Sequence, residues 1–282
     1  MIPLRAGLTG TPLAPGRHVR AALGFRSGPA GTYLAHQITT HPFHITRPFH
    51  MVDDPEGMAT LYLQSSSGGL YGDDELTLSI AADAGAAAQV TTQASTVVHH
   101  ARSGCARMGV EITAAEGALI EYLPDPAILF AGARLDTRLS LKLAENARAI
   151  LCDAVLCHDP DGANAPFEWL TTETCISGPE GPRLIDRIDV DGGDWAARTG
   201  AWPCHATLIV AGPGVTEAVT PIQQALGLRP DLWTGVSAFT DREITLARIL
   251  APDGAALTRA LNLGWAAART ALTGIAPRLR QK

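Results

Sequence analysis

Apolar and polar positions alternate through most of this chain, in short runs parted by glycine, proline and acidic turns. Leu61 and Leu63 alternate with Tyr62 and Gln64, and Leu76, Leu78 and Ile80 with Thr77 and Ser79. Met108, Val110 and Ile112 repeat the pattern, and Leu135, Leu139, Leu141 and Leu143 share one face. A period of two is the mark of a half-buried β-strand. Two strands are expected between Tyr33 and Arg47, split at Thr40-His41-Pro42. Others fall at A-L-I-E-Y-L, A-R-A-I-L-C-D-A-V-L, F-E-W-L-T-T-E-T-C-I and P-C-H-A-T-L-I-V-A, around Val236, and from Ile244 to Leu250. Such close recurrence predicts a mainly β body, either a sandwich or a β-helical stack of coils. The turns A-D-A-G-A and A-A-E-G-A-L-I resemble one another, as successive rungs of a stack would.

Helical spacing appears late. Val215 to Gly227 reads as a short helix interrupted by Pro221 and ended by Gly227. From about Ala255 to Leu272, Leu257, Leu261, Trp265, Ala268 and Leu272 fall at three- and four-residue steps, and Gly274 stops the run. D-V-D-G-G-D-W reads as a turn. Residues 1–30, rich in Gly, Pro and Arg, read as an irregular basic arm. No stretch looks like a linker, so residues 1–282 are expected to form one domain.

Composition narrows the class. With 46% hydrophobic, 18% charged and 5% aromatic residues, the chain belongs with soluble globular proteins. A net charge of −6 argues against general nucleic-acid binding. Residues 1–52 hold five arginines and no acid, and after Asp253 only basic residues carry charge, so both ends are basic around an acidic middle. Two readings fit: the ends pack on their own chain's acids, or they dock on an acidic partner. Five scattered cysteines without a C-x-x-C pair fit reduced thiols in a cytoplasmic protein. Neither a signal peptide nor a membrane span is expected.

Candidate chemistry is dispersed. His41, His44 and His50 lie close in sequence and are of a type that binds nickel, copper or zinc. On a strand, however, positions i and i+3 face opposite sides. His99-His100, Cys157-His158 and Cys204-His205 are adjacent pairs with the same limitation. G-x-S-x-G, P-loop and dinucleotide motifs are missing. Asp73, Asp74 and Glu75 behind Gly68, Gly69 and Gly72 suit a turn closed by side-chain hydrogen bonds, general acid–base work, or a metal.

One stretch carries a resemblance. R-P-F at Arg47, the G-G-x-x-G-D turn from Gly68 to Asp73, and T-T-x-x-x-T at Thr91, Thr92 and Thr96 follow in the order found in the urease accessory protein family UreD, also called UreH. Ile120-Glu121-Tyr122-Leu123-Pro124 resembles that family's L-E-x-L-P element, with Phe130 and Arg134 after it, and A-P-R-L near the C-terminus resembles its closing P-R-I-W. Ser65-Ser66-Ser67 stands where the family usually has H-P-P, Asp73 and Asp74 compete for the family acid, and Glu168 is the nearest match to a later glutamate. The resemblance implies a cytoplasmic, non-catalytic scaffold for nickel delivery to urease apoprotein. It also implies partners like UreF and the GTPase UreG and only transient Ni2+ with no tightly bound cofactor, while charge and hydropathy argue for contact with neither nucleic acid nor membrane. It further implies a stacked β fold with two helices and an internal polar tunnel. Asp73, Asp74, Glu121, Arg134 and Glu168 become candidates for an ion path, Glu121 because it alternates to the face opposite Ile120. The competing expectation is an all-β metal-dependent enzyme built on His41, His44 and His50.

Overall fold

The computed structural model describes residues 16–163, 165–200, 202–227 and 229–278. In chain order, β1 (His18–Gly28), β2 (Gly31–Ile38), β3 (Phe43–Ile45), β4 (Ala59–Ser65), β5 (Glu75–Ala82) and β6 (Ala87–Thr92) come first. Then come β7 (Thr96–Val98), β8 (Ala106–Ala114), β9 (Leu119–Leu123), β10 (Ala127–Phe130), β11 (Arg134–Leu143) and β12 (Arg148–His158). β13 (Trp169–Gly178), β14 (Gly181–Asp191), helix α1 (Gly192–Thr199) and β15 (Cys204–Ala211) follow. Helix α2 (Val219–Leu226), β16 (Trp233–Phe239), β17 (Ile244–Ala251) and helix α3 (Gly254–Thr273) complete the order.

From β4 to β13 the chain winds as a stack of coils. It alternates between a seven-stranded sheet, ordered β14-β13-β11-β8-β5-β1-β2, and a ten-stranded sheet, whose main path runs β16-β17-β15-β12-β9-β6-β4-β3. Neighbouring rungs pair in parallel, so equivalent positions stack: Ala21, Leu78, Val110, Leu139 and Thr174 lie in one row. The opposing sheet answers with Leu61, Val90, Tyr122 and Leu151. These inward rows form one core between the sheets.

The corner turns explain the likeness between A-D-A-G-A and A-A-E-G-A. Gly85 N–H donates to Glu116 O at 3.0 Å, and Gly117 N–H to Glu145 O at 3.1 Å. Gly85 and Gly117 have φ near +67° and +66°, and Asn146 holds the same place in the third rung at +57°. Asparagine tolerates this left-handed conformation, which conceals the third repeat from a search for glycine.

Three readings of the sequence need correction. Within the arm expected at 1–30, residues 18–28 form β1, with Ala21, Leu23 and Phe25 buried; residues 1–15 lie outside the described residues. D-V-D-G-G-D-W is the end of β14 and the start of α1, whose N-cap Asp191 accepts from Asp194 N–H at 2.8 Å, so among the described residues there are three α-helices where two were expected. Pro221 does not interrupt its helix. A short 3-10 turn at Val215–Ala218 leads into α2, and Pro221 is the third residue of α2, where the missing N–H has no helical acceptor to lose. The last helix runs as expected, capped by Asp253 and ended by Gly274 at φ +74°. α2 and α3 cover the outer face of β12, β15 and β17, making a second apolar core there.

Candidate functional site

The glycine-rich turn before β5 is fixed by an arginine from the N-terminal segment. Arg17 donates from its backbone N–H and its Nε to Asp74 Oδ1, each at 3.0 Å, and from Nη2 to Gly69 O at 2.9 Å. Tyr71 N–H donates to Asp74 Oδ2 at 2.8 Å. Burial works to raise the Asp74 pKa, but the hydrogen bonds from Arg17 and Tyr71 outweigh it and hold the carboxyl below its ordinary value. Asp73, at φ +68°, accepts from Ser103 Oγ at 2.7 Å. Gly69 is required, because a Cβ there would lie 2.4 Å from Val97 O. Arg134 donates to Glu168 at 2.7 Å and to Gly104 O at 3.3 Å, on the outer side of the same turn.

Glu121 is elsewhere. β9 turns Ile120 and Tyr122 into the core between the sheets, so Glu121 faces α3. It is fully buried, as is Arg269 of α3, and Arg269 Nε donates to Glu121 Oε1 at 2.7 Å. Gln89 and Trp265 each donate to Glu121 Oε2 at 2.9 Å. Arg269 also pairs with Asp54, which accepts from Thr60 Oγ1 at 3.0 Å. Burial works to lower the Arg269 pKa, but the hydrogen bond and charge of Glu121, then Asp54, leave it above its ordinary value. Glu121 thus ties a helix to the sheet with both carboxylate oxygens engaged.

Gly68 and Gly69 instead line a cavity of about 310 Å³ between the two sheets. Its wall is mainly apolar, with Leu63, Leu76, Met108, Val110 and Leu139, and is interrupted by Gln64, Gln93, Asp125, Thr137, Asp153 and Thr174. Asp125 lies past the end of β9, where Thr92 Oγ1 donates to Asp125 Oδ2 at 3.0 Å and Asp125 N–H donates to Thr92 Oγ1 at 2.7 Å. Asp153 points inward from β12, at the same parity as core residues Leu151 and Val155.

Cross-strand register sets Asp153 beside further polar groups that are not part of the cavity lining. Asp153, Thr207 and Arg248 form one row across β12, β15 and β17, next to the apolar row Leu151, Ile209 and Leu246. From the facing sheet, Asp186 of β14 pairs with Arg248, which also donates to Thr207 Oγ1 at 2.7 Å. Burial pushes the Asp153 pKa up to about 6; a hydrogen bond from Thr172 and the charge of Arg248 oppose this, and Asp186 adds to it. His205, in the next inward position of β15, is held down to about 4 by burial and then by the Arg248 charge. Its ring meets Trp195 of α1 edge-on at 5.9 Å.

The structure therefore gathers Asp73, Asp74, Gly68, Gly69 and Gly72 at one turn beside the cavity, pairs Arg134 with Glu168 on the surface, and sends Glu121 to the helical side. His41, His44 and His50 lie exposed along β3 and its flanks, and His50 Nε2 is 2.9 Å from Thr32 O. Among the described residues, no three His, Cys, Asp or Glu side chains come together as a metal-binding group. His99 stacks on Tyr71 at 4.5 Å, and Phe130 meets both His99 and His158. Asp125, Asp153, Asp186 and Arg248 were missed by sequence reasoning. For Asp153, Asp186 and Arg248 the one signal is a charged residue at an inward strand position among apolar ones; Asp125, in the loop after β9, carries no such signal. Arginines from both basic ends pair with the chain's own acids, Arg17 with Asp74, Arg26 with Asp83, and Arg269 with Asp54 and Glu121.

The family model for the UreD urease accessory protein matches residues 17–281. The chain belongs to the UreD family. It is 40% identical over 273 residues to urease accessory protein UreD 1 of Methylorubrum extorquens, covering 95% of this chain and 92% of that protein. It is 35% identical over 270 residues to UreD 1 of Pseudomonas syringae pv. syringae, covering 93% of this chain and 95% of the relative. UreD 3 of Bradyrhizobium sp. strain ORS 278 is 34% identical over 281 residues, covering 99% of this chain and all of the relative. As a UreD protein it is an accessory factor in urease maturation, from a family of accessory proteins rather than catalysts, whose members associate with urease and other accessory proteins. Among the described residues, no helix is long and apolar enough to cross a membrane.

Proposed function

We propose that this UreD protein delivers nickel to urease apoprotein as a non-catalytic cytoplasmic scaffold, acting with UreF-like and UreG-like partners, and that the ion travels through the cavity between its sheets. The observation that carries this reading is a cavity inside a stack of coils whose mainly apolar wall is interrupted by the carboxylates of Asp125 and Asp153, with the Gly68–Gly69 turn at one side. Carboxylates, hydroxyls and amide oxygens are weak ligands for nickel beside imidazole and thiolate, so such a wall binds the hydrated ion loosely and lets it leave. Asp153, with a pKa of about 6, exchanges a proton near neutrality and presents a carboxylate as the cation arrives.

Asp73, Asp74, Arg134 and Glu168 have a different part in this scheme. Their pairings hold the turn and the neighbouring loop in place, so the cavity wall keeps its shape. Glu121 and Arg269 anchor α3 to the coils. The test is deletion and complementation in a urease-positive host, with nickel per urease active site as the readout. Restored nickel content by the wild-type chain, together with co-purification of UreF-like and UreG-like proteins, is expected. Unchanged urease nickel after deletion refutes the proposal. A stoichiometric, chelator-resistant ion on the purified chain refutes the transient-carrier part of it.

A further inference from the structure

A sheet edge offers unpaired N–H and C=O groups to any extended chain, and proteins blunt such edges with short strands, charges, proline or bulges. Among the described residues the two sheets end on β2, β14, β3 and β16. β3 is three residues long. β14 carries Arg183, Asp186, Arg187 and Asp189. β2 lies across a register shift between Gly24 and Phe25. β16, W-T-G-V-S-A-F, has none of these devices. It pairs with β17 in unbroken register from Trp233 opposite Leu250 to Phe239 opposite Ile244. Every residue of it except Val236 is exposed, Trp233 to 70% and Phe239 to 43%.

We infer that β16 is a self-association edge, and that its occupant is β16 of a second copy of this chain. The order of side chains selects that occupant. Antiparallel pairing about a two-fold axis at Val236 sets Trp233 opposite Phe239 of the second copy, Thr234 opposite Ala238 and Gly235 opposite Ser237. Trp233, Gly235, Ser237 and Phe239 share one face, since strand side chains alternate. Their large-small-small-large order is its own complement: each aromatic pair closes one end, and the small residues lie between. Aromatic cross-strand pairs stabilise sheets, and this register alone matches Trp233 with Phe239 at both ends.

Seven paired residues bury less than the roughly 1,200 Å² typical of stable interfaces, so the dimer is weak and concentration-dependent. Each copy carries a net charge of −6. Salt therefore strengthens the association by screening like charges.

Sedimentation velocity of the purified full-length chain, from micromolar to submillimolar concentration and at low and high salt, tests this. A reversible monomer–dimer equilibrium that tightens with salt is expected. Gly235→Lys abolishes it while leaving thermal unfolding unchanged, since a Cβ at Gly235 meets nothing within 4 Å. Val236→Cys gives an intermolecular disulfide under mild oxidation, and Thr234→Cys does so much less. The inference is overturned by a monomer at every concentration, by a dimer that survives Gly235→Lys, or by amide protection of β16 that appears only when urease or another accessory protein is added.

Discussion

Replacing Asp153 by Asn should stabilise the fold and impair nickel delivery. Burial raises the Asp153 pKa from 3.8 to about 6. At 1.36 kcal/mol per unit, keeping the carboxylate ionised inside the fold costs about 3 kcal/mol at neutral pH. The sign follows from proton linkage: between pH 3.8 and 6 the folded protein binds more protons than the unfolded chain. Asp153 thus favours folding at low pH, and that contribution is lost as pH rises through about 6. Asparagine keeps the size and a hydrogen-bond acceptor for Thr172, but has no charge to bury. Urea unfolding of wild type and Asp153→Asn across pH 5 to 8 should show the variant more stable throughout. Its advantage should grow by about 1 kcal/mol over that range. His205 titrates in both proteins and largely cancels in the comparison. An advantage that is flat with pH, or a destabilised variant, would refute the assignment of Asp153 as a desolvated carboxylate in the cavity wall. A stable variant that delivers nickel as well as wild type would remove Asp153 from the path.

Arg269→Met should cost about 3–5 kcal/mol by leaving Glu121 and Asp54 buried without their cation; adding Glu121→Gln and Asp54→Asn should recover a good part, as read by chemical denaturation. Asp74→Ala should cost about 1–3 kcal/mol by stranding Arg17. Because the Asp74 pKa is lowered on folding, its contribution is present above pH 3.8 and fades as pH falls through the folded value, so the variant should lose stability less steeply in acid. His205 is favoured neutral in the fold, with a pKa of about 4 against an ordinary 6.5, so its contribution to stability is lost as pH falls from 6.5 to 4, opposing the gain from Asp153 over that range. His205→Gln should remove that loss, so that the variant gains stability toward acid relative to wild type in a pH series of thermal unfolding.

Much of the architecture was legible because the coils repeat. Rows such as Leu78, Val110 and Leu139 announce themselves by alternation, and two of three stacked corners share an acid-glycine signature. What escaped notice did so for local reasons. β1 is interrupted by Gly24 and by outward arginines, although Ala21, Leu23 and Phe25 keep the inward period. α1 begins with Gly192-Gly193, a poor helical opening made possible by the Asp191 cap. The site was harder to see. β12 is apolar on both faces, Leu151 and Val155 toward the facing sheet and Cys152 and Ala154 toward the helices, so alternation cannot say which way Asp153 points. For Glu121 the alternation was read correctly as opposite to Ile120. Only the placement of α3 decides that the Glu121 side is the helical one. Arg269 lies one turn beyond Trp265 on the buried face of α3, and its two acids come from 148 and 215 residues away in sequence.

The most direct measurement of the central claim is nickel per urease active site in cells whose own UreD is replaced by the Asp125→Asn/Asp153→Asn variant, with complex formation monitored alongside. The account predicts that the variant accumulates and still co-purifies with urease and its accessory partners, while urease nickel falls toward the level of the deletion strain. Full nickel loading of urease by that variant would contradict passage through the cavity.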